Sequence, residues 1–342
     1  MSKRGQASFG VMNRETLDTL TRKALAFAEG QCIFGFQGGE PTLAGLEFFE
    51  AAVQLQKQYN VNNVQIHNTI QTNGYAVTEE WATFFAEHKF LVGLSLDGLE
   101  DIHNIHRADA VGEGTFGRVM ATAEMFDRCK VEYNILTVVN RQTARNIGRI
   151  YTFYKERGFR YLQFIACLDP LGERPGGHEF SLTADLYGDF LRELFDLWYE
   201  DVCRGQQPYI RMFENYVAAR AGLAPESCDM RGICQNQVVV EADGSVYPCD
   251  FYVLDDWRLG SMVTDEILTL HKRAAGFVEA SRQRPVGCAG CDYYILCRGG
   301  CRRHRMTDES GKLRNYFCAA YKRFFGHAAK RLNEIAATVR PR

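Results

Sequence analysis

The chain has 342 residues, 46% of them hydrophobic and 24% charged, a composition that excludes a disordered or fibrous protein and suggests about two domains. Forty Lys and Arg against 42 Asp and Glu leave a formal charge of -2, so there is no basic footprint for nucleic acid or an anionic membrane surface. The opening MSKRGQASFG has no apolar segment after its basic residues, and no later run is apolar enough to span a bilayer. These features point to a cytoplasmic protein.

Asn13, with Thr16 three residues on and Leu17, Leu20 and Leu25 behind it, predicts a first helix ending at Gly30. A buried strand IFGF (33–36) then stops on Gln37-Gly38-Gly39-Glu40-Pro41. Further strand-like runs are VQIHNTI (64–70), LVGLSL (91–96), EYNILTVV (132–139) and YLQFIA (161–166). Amphipathic helices separate them; in TFGRVMATAEMFDRC, Phe116, Val119, Met120, Ala123 and Phe126 keep one face apolar. Five strands at intervals of roughly 30 residues predict repeated βαβ units and a parallel sheet. A helix ahead of the first strand implies a missing strand and an unpaired sheet edge.

Polar and glycine residues gather where these strands end: Gln37-Gly38-Gly39-Glu40, Gln71-Thr72-Asn73-Gly74, Ser95-Leu96-Asp97-Gly98, Asn140, and Leu168-Asp169-Pro170. In parallel α/β folds the carboxyl ends of the strands carry the site, so these turns should converge, although turn chemistry alone explains any single one. His103 and His106, in DIHNIHR, are read as satisfying local hydrogen bonds rather than as ligands. Past residue 205 the rhythm dissolves into cysteine-rich loops with a hairpin at Asp243-Gly244. This divides the chain into a domain of residues 1–205 and a metal-dependent one of residues 206–342.

Twelve cysteines without an export signal argue for metal ligation over disulfides. Cys32, Cys129, Cys167 and Cys203 are scattered and read as small buried apolar residues. The other eight crowd together: Cys228-x5-Cys234, Cys249, Cys288-x2-Cys291-x5-Cys297-x3-Cys301 and Cys318. Two sets of four could each hold zinc or an iron-sulfur cluster, and spacing alone leaves both open. Asp250 follows Cys249 directly, as a turn residue or as a carboxylate beside the bound group. The RRHR run after Cys301 is read as a solvated face.

The QGGEPTLAG turn, the SLDG turn, the HNIHR segment and the ordered cysteines closely resemble the anaerobic sulfatase-maturating enzymes, radical S-adenosylmethionine (AdoMet) enzymes with a SPASM domain. The resemblance runs from about residue 10 to the C-terminus and is most specific in FQGGEPTLAGLEFFE and SVYPCDFYVLD. It implies an α/β fold: a partial (β/α)6 TIM-like barrel missing its first strand, then a cysteine-rich SPASM domain with two auxiliary [4Fe-4S] clusters. Cys228, Cys234, Cys249 and Cys301 would hold one cluster and Cys288, Cys291, Cys297 and Cys318 the other. Gly38, Gly39 and Glu40 would lie against the methionyl amine of AdoMet, with Gln37, Ser95, Arg107 and Leu168 lining the cofactor or peptide site.

The implied reaction oxidises a cysteine or serine of a sulfatase to formylglycine: a 5'-deoxyadenosyl radical removes a β-hydrogen and Asp250 takes the side-chain proton. An auxiliary cluster takes the second electron, and a flavodoxin or ferredoxin would supply reductant. The family binds a third, catalytic cluster through Cx3Cx2C, a motif these residues lack, so the chain as written is not expected to start the reaction. The DNA upstream of Met1 discriminates a late start codon from a binding remnant. The alternatives are another SPASM peptide-modifying maturase, or a non-catalytic iron-sulfur protein that binds peptide or transfers electrons.

Overall fold

The computed structural model describes residues 9–339, so most of the MSKRGQASFG opening lies outside the described residues. The chain forms two compact units: one takes the chain up to Ser95 with Gly117–Tyr133 and Asn236–Glu279, the other Leu96–Phe116, Asn134–Gln235 and the chain from Ala280.

The first unit opens on the helix Arg14–Phe27, whose N-cap is Asn13; its side chain accepts from the Thr16 amide at 2.8 Å. That helix stops at Phe27, three residues short of the expected Gly30, and Ala28 closes it in an extended conformation. Strands β1 (Gln31–Phe36), β2 (Gln65–Thr72) and β3 (Leu91–Ser95) follow, with β1 parallel to β2 and β2 parallel to β3. The helices Leu46–Tyr59 and Glu79–Glu87 alternate with them. The core here is aromatic: Phe49 lies 5.2 Å from Trp81 and 5.0 Å from Phe36, ring centre to ring centre.

The buried strand expected at 33–36 is an alternating one. From Gln31 to Phe36 every second residue is exposed, and Ile33 is 63% exposed. Strand β1 pairs with β2 in the parallel register, whereas β2 has partners on both sides, and a strand with fewer neighbours buries less of its apolar surface.

In the second unit, β4 (Glu132–Val139) is parallel to β5 (Tyr161–Ala166), both as the sequence patterns bounded them. A sixth strand, β6 (Tyr209–Ile210), adds in parallel to β5; at two residues it is too short for periodicity to reveal. The helix Ala184–Arg204 buries Phe190, Leu194, Phe195 and Trp198, with Phe195 stacked edge-on against Phe324 of the C-terminal helix Cys318–Val339 at 5.6 Å.

The hairpin expected at Asp243-Gly244 is present as β7 (Val239–Val240) antiparallel to β8 (Ser245–Tyr247), with β9 (Gly260–Ser261) on the other side of β8. It belongs to the first unit. Val246, Met262 and Leu270 form its core against Leu20 of the opening helix, and Lys23 Nζ donates to the Met262 and Asp265 carbonyls at 2.9 and 2.7 Å. The last pair, β10 (Arg305–Thr307) and β11 (Leu313–Asn315), lies antiparallel in the second unit.

Candidate functional site

In the first unit the turn after β1 requires glycine, because Gly38 and Gly39 have φ of 91° and 39°. Glu40 ties this turn to the one after β2. Its Oε1 accepts from the Thr42 amide (3.1 Å), the Thr42 hydroxyl (2.7 Å) and the Thr72 hydroxyl (2.8 Å), while Oε2 accepts from the Asn73 amide (2.7 Å). The carboxylate therefore acts as an internal clamp, and the exposed peptide groups of Gln37, Gly38 and Gly39 are held still. Ser95, half-buried, ends β3. The same unit holds Cys249 and the exposed Asp250, with Cys249 Sγ donating to Asp250 Oδ1 at 3.2 Å. A thiolate at Cys249 would lack that proton, and Asp250 Oδ1 would then be able to accept one from another donor.

In the second unit the SLDG turn is built around a buried Asp97. Its Oδ2 pairs with Arg107 Nε at 2.6 Å and its Oδ1 accepts from the Val138 amide at 2.7 Å. The Asp97 amide donates to His103 Nδ1 at 3.1 Å, which leaves the imidazole proton on Nε2, facing the Thr115 hydroxyl at 3.1 Å. Thr115 donates in turn to the Arg107 carbonyl. Burial, with Arg107 nearby, lowers the His103 pKa to about 4, so the ring is a neutral brace at physiological pH. Tyr154 accepts from the Gly98 amide at 2.8 Å and donates to the Leu96 carbonyl at 2.7 Å. Half-buried Leu168 follows β5, next to buried Asp169, which accepts from the Gly176 amide at 2.8 Å and from the Ser181 hydroxyl.

Four of the eight clustered cysteines, Cys288, Cys291, Cys297 and Cys318, line one cavity, walled also by Gly299, Asn315 and Tyr321. Burial, together with the neighbouring thiols, pushes the Cys297 thiol up to about 11. Cys228, Cys234 and Cys301 form a second neighbourhood. Burial pushes the Cys301 thiol up to about 12, with Asp229, Cys228 and Cys234 adding to the rise and the Arg303 amide, 3.3 Å from its sulfur, opposing it. Among the described residues no three His, Cys, Asp or Glu side chains meet closely enough for one metal ion. A ring of four thiols around a cavity suits a larger, cationic iron-sulfide core, which would also draw off their protons.

The RRHR run is not a solvated face. Arg303 Nη2 donates to the Asp169 carbonyl at 2.5 Å, Arg305 is spent on five carbonyls, and the half-buried His304 ring stands edge-on to Phe317 at 5.1 Å. Of the four scattered cysteines, Cys203 is exposed and the other three are only half-buried, because each sits near the rim of its element. His106 is exposed, as a surface turn residue should be, whereas His103 is fully buried. Sequence reasoning passed over His103 and Arg305 as site builders; Thr72, Asn73 and Asp97 it placed within the polar turns after β2 and β3, without the clamp and ion pair they make.

The model of the Radical SAM superfamily matches residues 4–154, and that of an iron-sulfur cluster-binding domain, SPASM, matches residues 228–292. Parallel strands with glycine-rich turns, followed by paired cysteine sets, thus make this a radical AdoMet enzyme with auxiliary iron-sulfur clusters. The cysteine-type anaerobic sulfatase-maturating enzyme of Clostridium perfringens is 47% identical over 98% of this chain and 92% of its own, and that of Clostridium novyi 43% over 97% and 90%. The serine-type enzyme of Bacteroides thetaiotaomicron is 32% identical over 87% and 76%. The solved structure of native anSMEcpe with bound AdoMet and Kp18Cys peptide superposes with a TM-score of 0.94 at 46% identity, covering 96% of this chain and 92% of that one. The chain belongs to the anaerobic sulfatase-maturating enzymes.

Proposed function

We propose that this chain oxidises a cysteine of a sulfatase polypeptide to formylglycine. The observation that carries the reading is its 47% identity, over nearly the whole chain, to a cysteine-type maturase, against 32% to a serine-type one. AdoMet, with a catalytic cluster whose Cx3Cx2C ligands are not among these residues, would supply hydrogen abstraction, and the auxiliary clusters would accept an electron. Net, the thiol and a water become the aldehyde and hydrogen sulfide, with two protons and two electrons released.

The residues divide that work. Gln37, Gly38, Gly39 and Glu40, clamped through Thr72 and Asn73, hold the amino-acid end of AdoMet; Ser95, Leu168 and the Asp97-oriented Arg107 line the rest of the cofactor and peptide site. Cys228, Cys234, Cys249 and Cys301 take one auxiliary cluster, and Cys288, Cys291, Cys297 and Cys318 the other. Asp250 takes the substrate thiol proton, a role supported by its exposed carboxylate beside Cys249. A flavodoxin or ferredoxin serves as reductant, in the cytoplasm, which cysteine usage without disulfides supports. No helix of the described residues is long and apolar enough to cross a membrane.

The test uses the anaerobically reconstituted chain, carried with whatever coding sequence precedes Met1 in frame, and two sulfatase-motif peptides differing only in Cys or Ser at the target. Mass spectrometry should show the aldehyde on the Cys peptide. Asp250→Asn should lower turnover about 100-fold or more while peptide affinity holds. Conversion of the Ser peptide alone, or of neither, overturns the reading.

A further inference from the structure

Arg305 opens β10, and its guanidinium has five N–H donors. Backbone carbonyls take all five: Nε donates to Gly299 (3.2 Å), Nη1 to Ser281 (2.6 Å) and Gln283 (3.0 Å), and Nη2 to Gly232 (2.7 Å) and Gly300 (2.7 Å). These carbonyls belong to the loops that carry both cysteine sets. Gly232 lies two residues before Cys234. Gly299 and Gly300 lie between Cys297 and Cys301, and Gly299 is also a wall of the cavity ringed by Cys288, Cys291, Cys297 and Cys318. Ser281 completes the link, since its hydroxyl accepts from the Cys234 amide at 2.9 Å while its carbonyl accepts from Arg305. Asn315, opposite Arg305 in the β10–β11 pair, donates to the same Gly299 carbonyl at 2.9 Å.

Carbonyls are neutral. With every donor spent on them, none remains for a carboxylate, so this half-buried cation is not cancelled by a hydrogen-bonded anion. Burial pulls the Arg305 pKa below its ordinary value, and Cys234, Cys301 and Cys288, thiols of both sets, pull it back up. The charge thus acts on both neighbourhoods. A four-iron cluster on four thiolates is anionic and becomes more so on reduction, and nearby charge is one of the levers that set its potential.

We propose that Arg305 is a positioning residue shared by the two auxiliary clusters, one that holds their cysteine loops in register and raises both reduction potentials with a single uncompensated positive charge. This rests on the reading that the eight cysteines hold clusters.

The experiment compares reconstituted wild type with Arg305→Lys and Arg305→Gln by iron and sulfide content and by EPR-monitored redox titration. Wild type below about eight irons, from two four-iron clusters, would sink the cluster reading itself before any variant is made. With wild type loaded, the expected result is that both variants retain iron, that Gln shifts both auxiliary midpoints to lower potential, and that Lys, which keeps the charge, stays near wild type. Full iron with unmoved midpoints in the Gln variant overturns the proposal. So does a shift of one cluster only, a Lys variant shifted as far as Gln, or loss of the clusters from both variants, which would leave Arg305 a structural tie.

Discussion

Glu40 shows how a single carboxylate can be chosen for the number of donors around it. Whichever way a glutamine amide is turned, its NH2 faces a backbone N–H, either of Thr42 or of Asn73. Glu40→Gln should therefore cost about 1–3 kcal/mol of stability, as for a buried donor left unpaired. A lowered Tm, with AdoMet affinity down about tenfold by calorimetry, would bear this out; an unchanged Tm would not. His103 gives a pH dependence. Its folded pKa is about 4 against 6.5 unfolded, so between those values the unfolded chain binds a proton that the folded one refuses. The His103 contribution is complete above about pH 6.5 and is lost as pH falls toward 4, about 3 kcal/mol in all. Urea titrations at pH 5 and 7 should show this slope in wild type and a shallower one in His103→Gln. The sequence names Arg107 and Asp97 within recognisable turns, but the hydrogen bonds that make His103 their brace are decided in three dimensions.

At the scale of elements, two glycines that look alike in sequence differ in what surrounds them. Both Gly38 and Gly98 adopt positive φ, 91° and 90°. A Cβ on Gly98 would lie 2.6 Å from Ile150 Cγ1, whereas one on Gly38 meets nothing within 4 Å. Gly98→Ala should thus combine backbone strain with overpacking, about 3 kcal/mol in total, and Gly38→Ala only the strain, about 1–2 kcal/mol. Thermal melts should rank them in that order, while AdoMet titration should find Gly38→Ala the more damaging to binding; the reverse ranking in the melts would refute the packing argument. The strands were legible because apolar runs between glycine turns leave few other solutions: β4 and β5 match their runs to the residue. Strand β6 was not, since two residues carry no period, and the exposure of β1 depends on how many neighbours it has.

For the whole molecule, the cysteine sets make the clearest prediction. Cys318 heads the last helix and lines the cavity with Cys288, Cys291 and Cys297, so Cys318→Ser should remove about four irons, one four-iron cluster, and leave the other. Iron and sulfide assays with EPR would read this, and a loss of all iron or none would refute the independence of the sets. The alternation of apolar strands and amphipathic helices, the turn glycines and the eight crowded cysteines are local patterns, and residue order alone determined from them the α/β class and a metal-binding second half; iron-sulfur over zinc followed only from the resemblance of phrases such as FQGGEPTLAGLEFFE to a known family. Which segments share a compact unit is a matter of packing between residues far apart in the chain. Only the tertiary structure decided that the hairpin leading to Cys249 and Asp250 closes its core on Leu20 of the opening helix, in the same unit as the Gly38-Gly39 turn. It alone decided, too, that a run of basic residues turns inward, because a half-buried guanidinium is tolerated where folded loops bring five carbonyls to meet it.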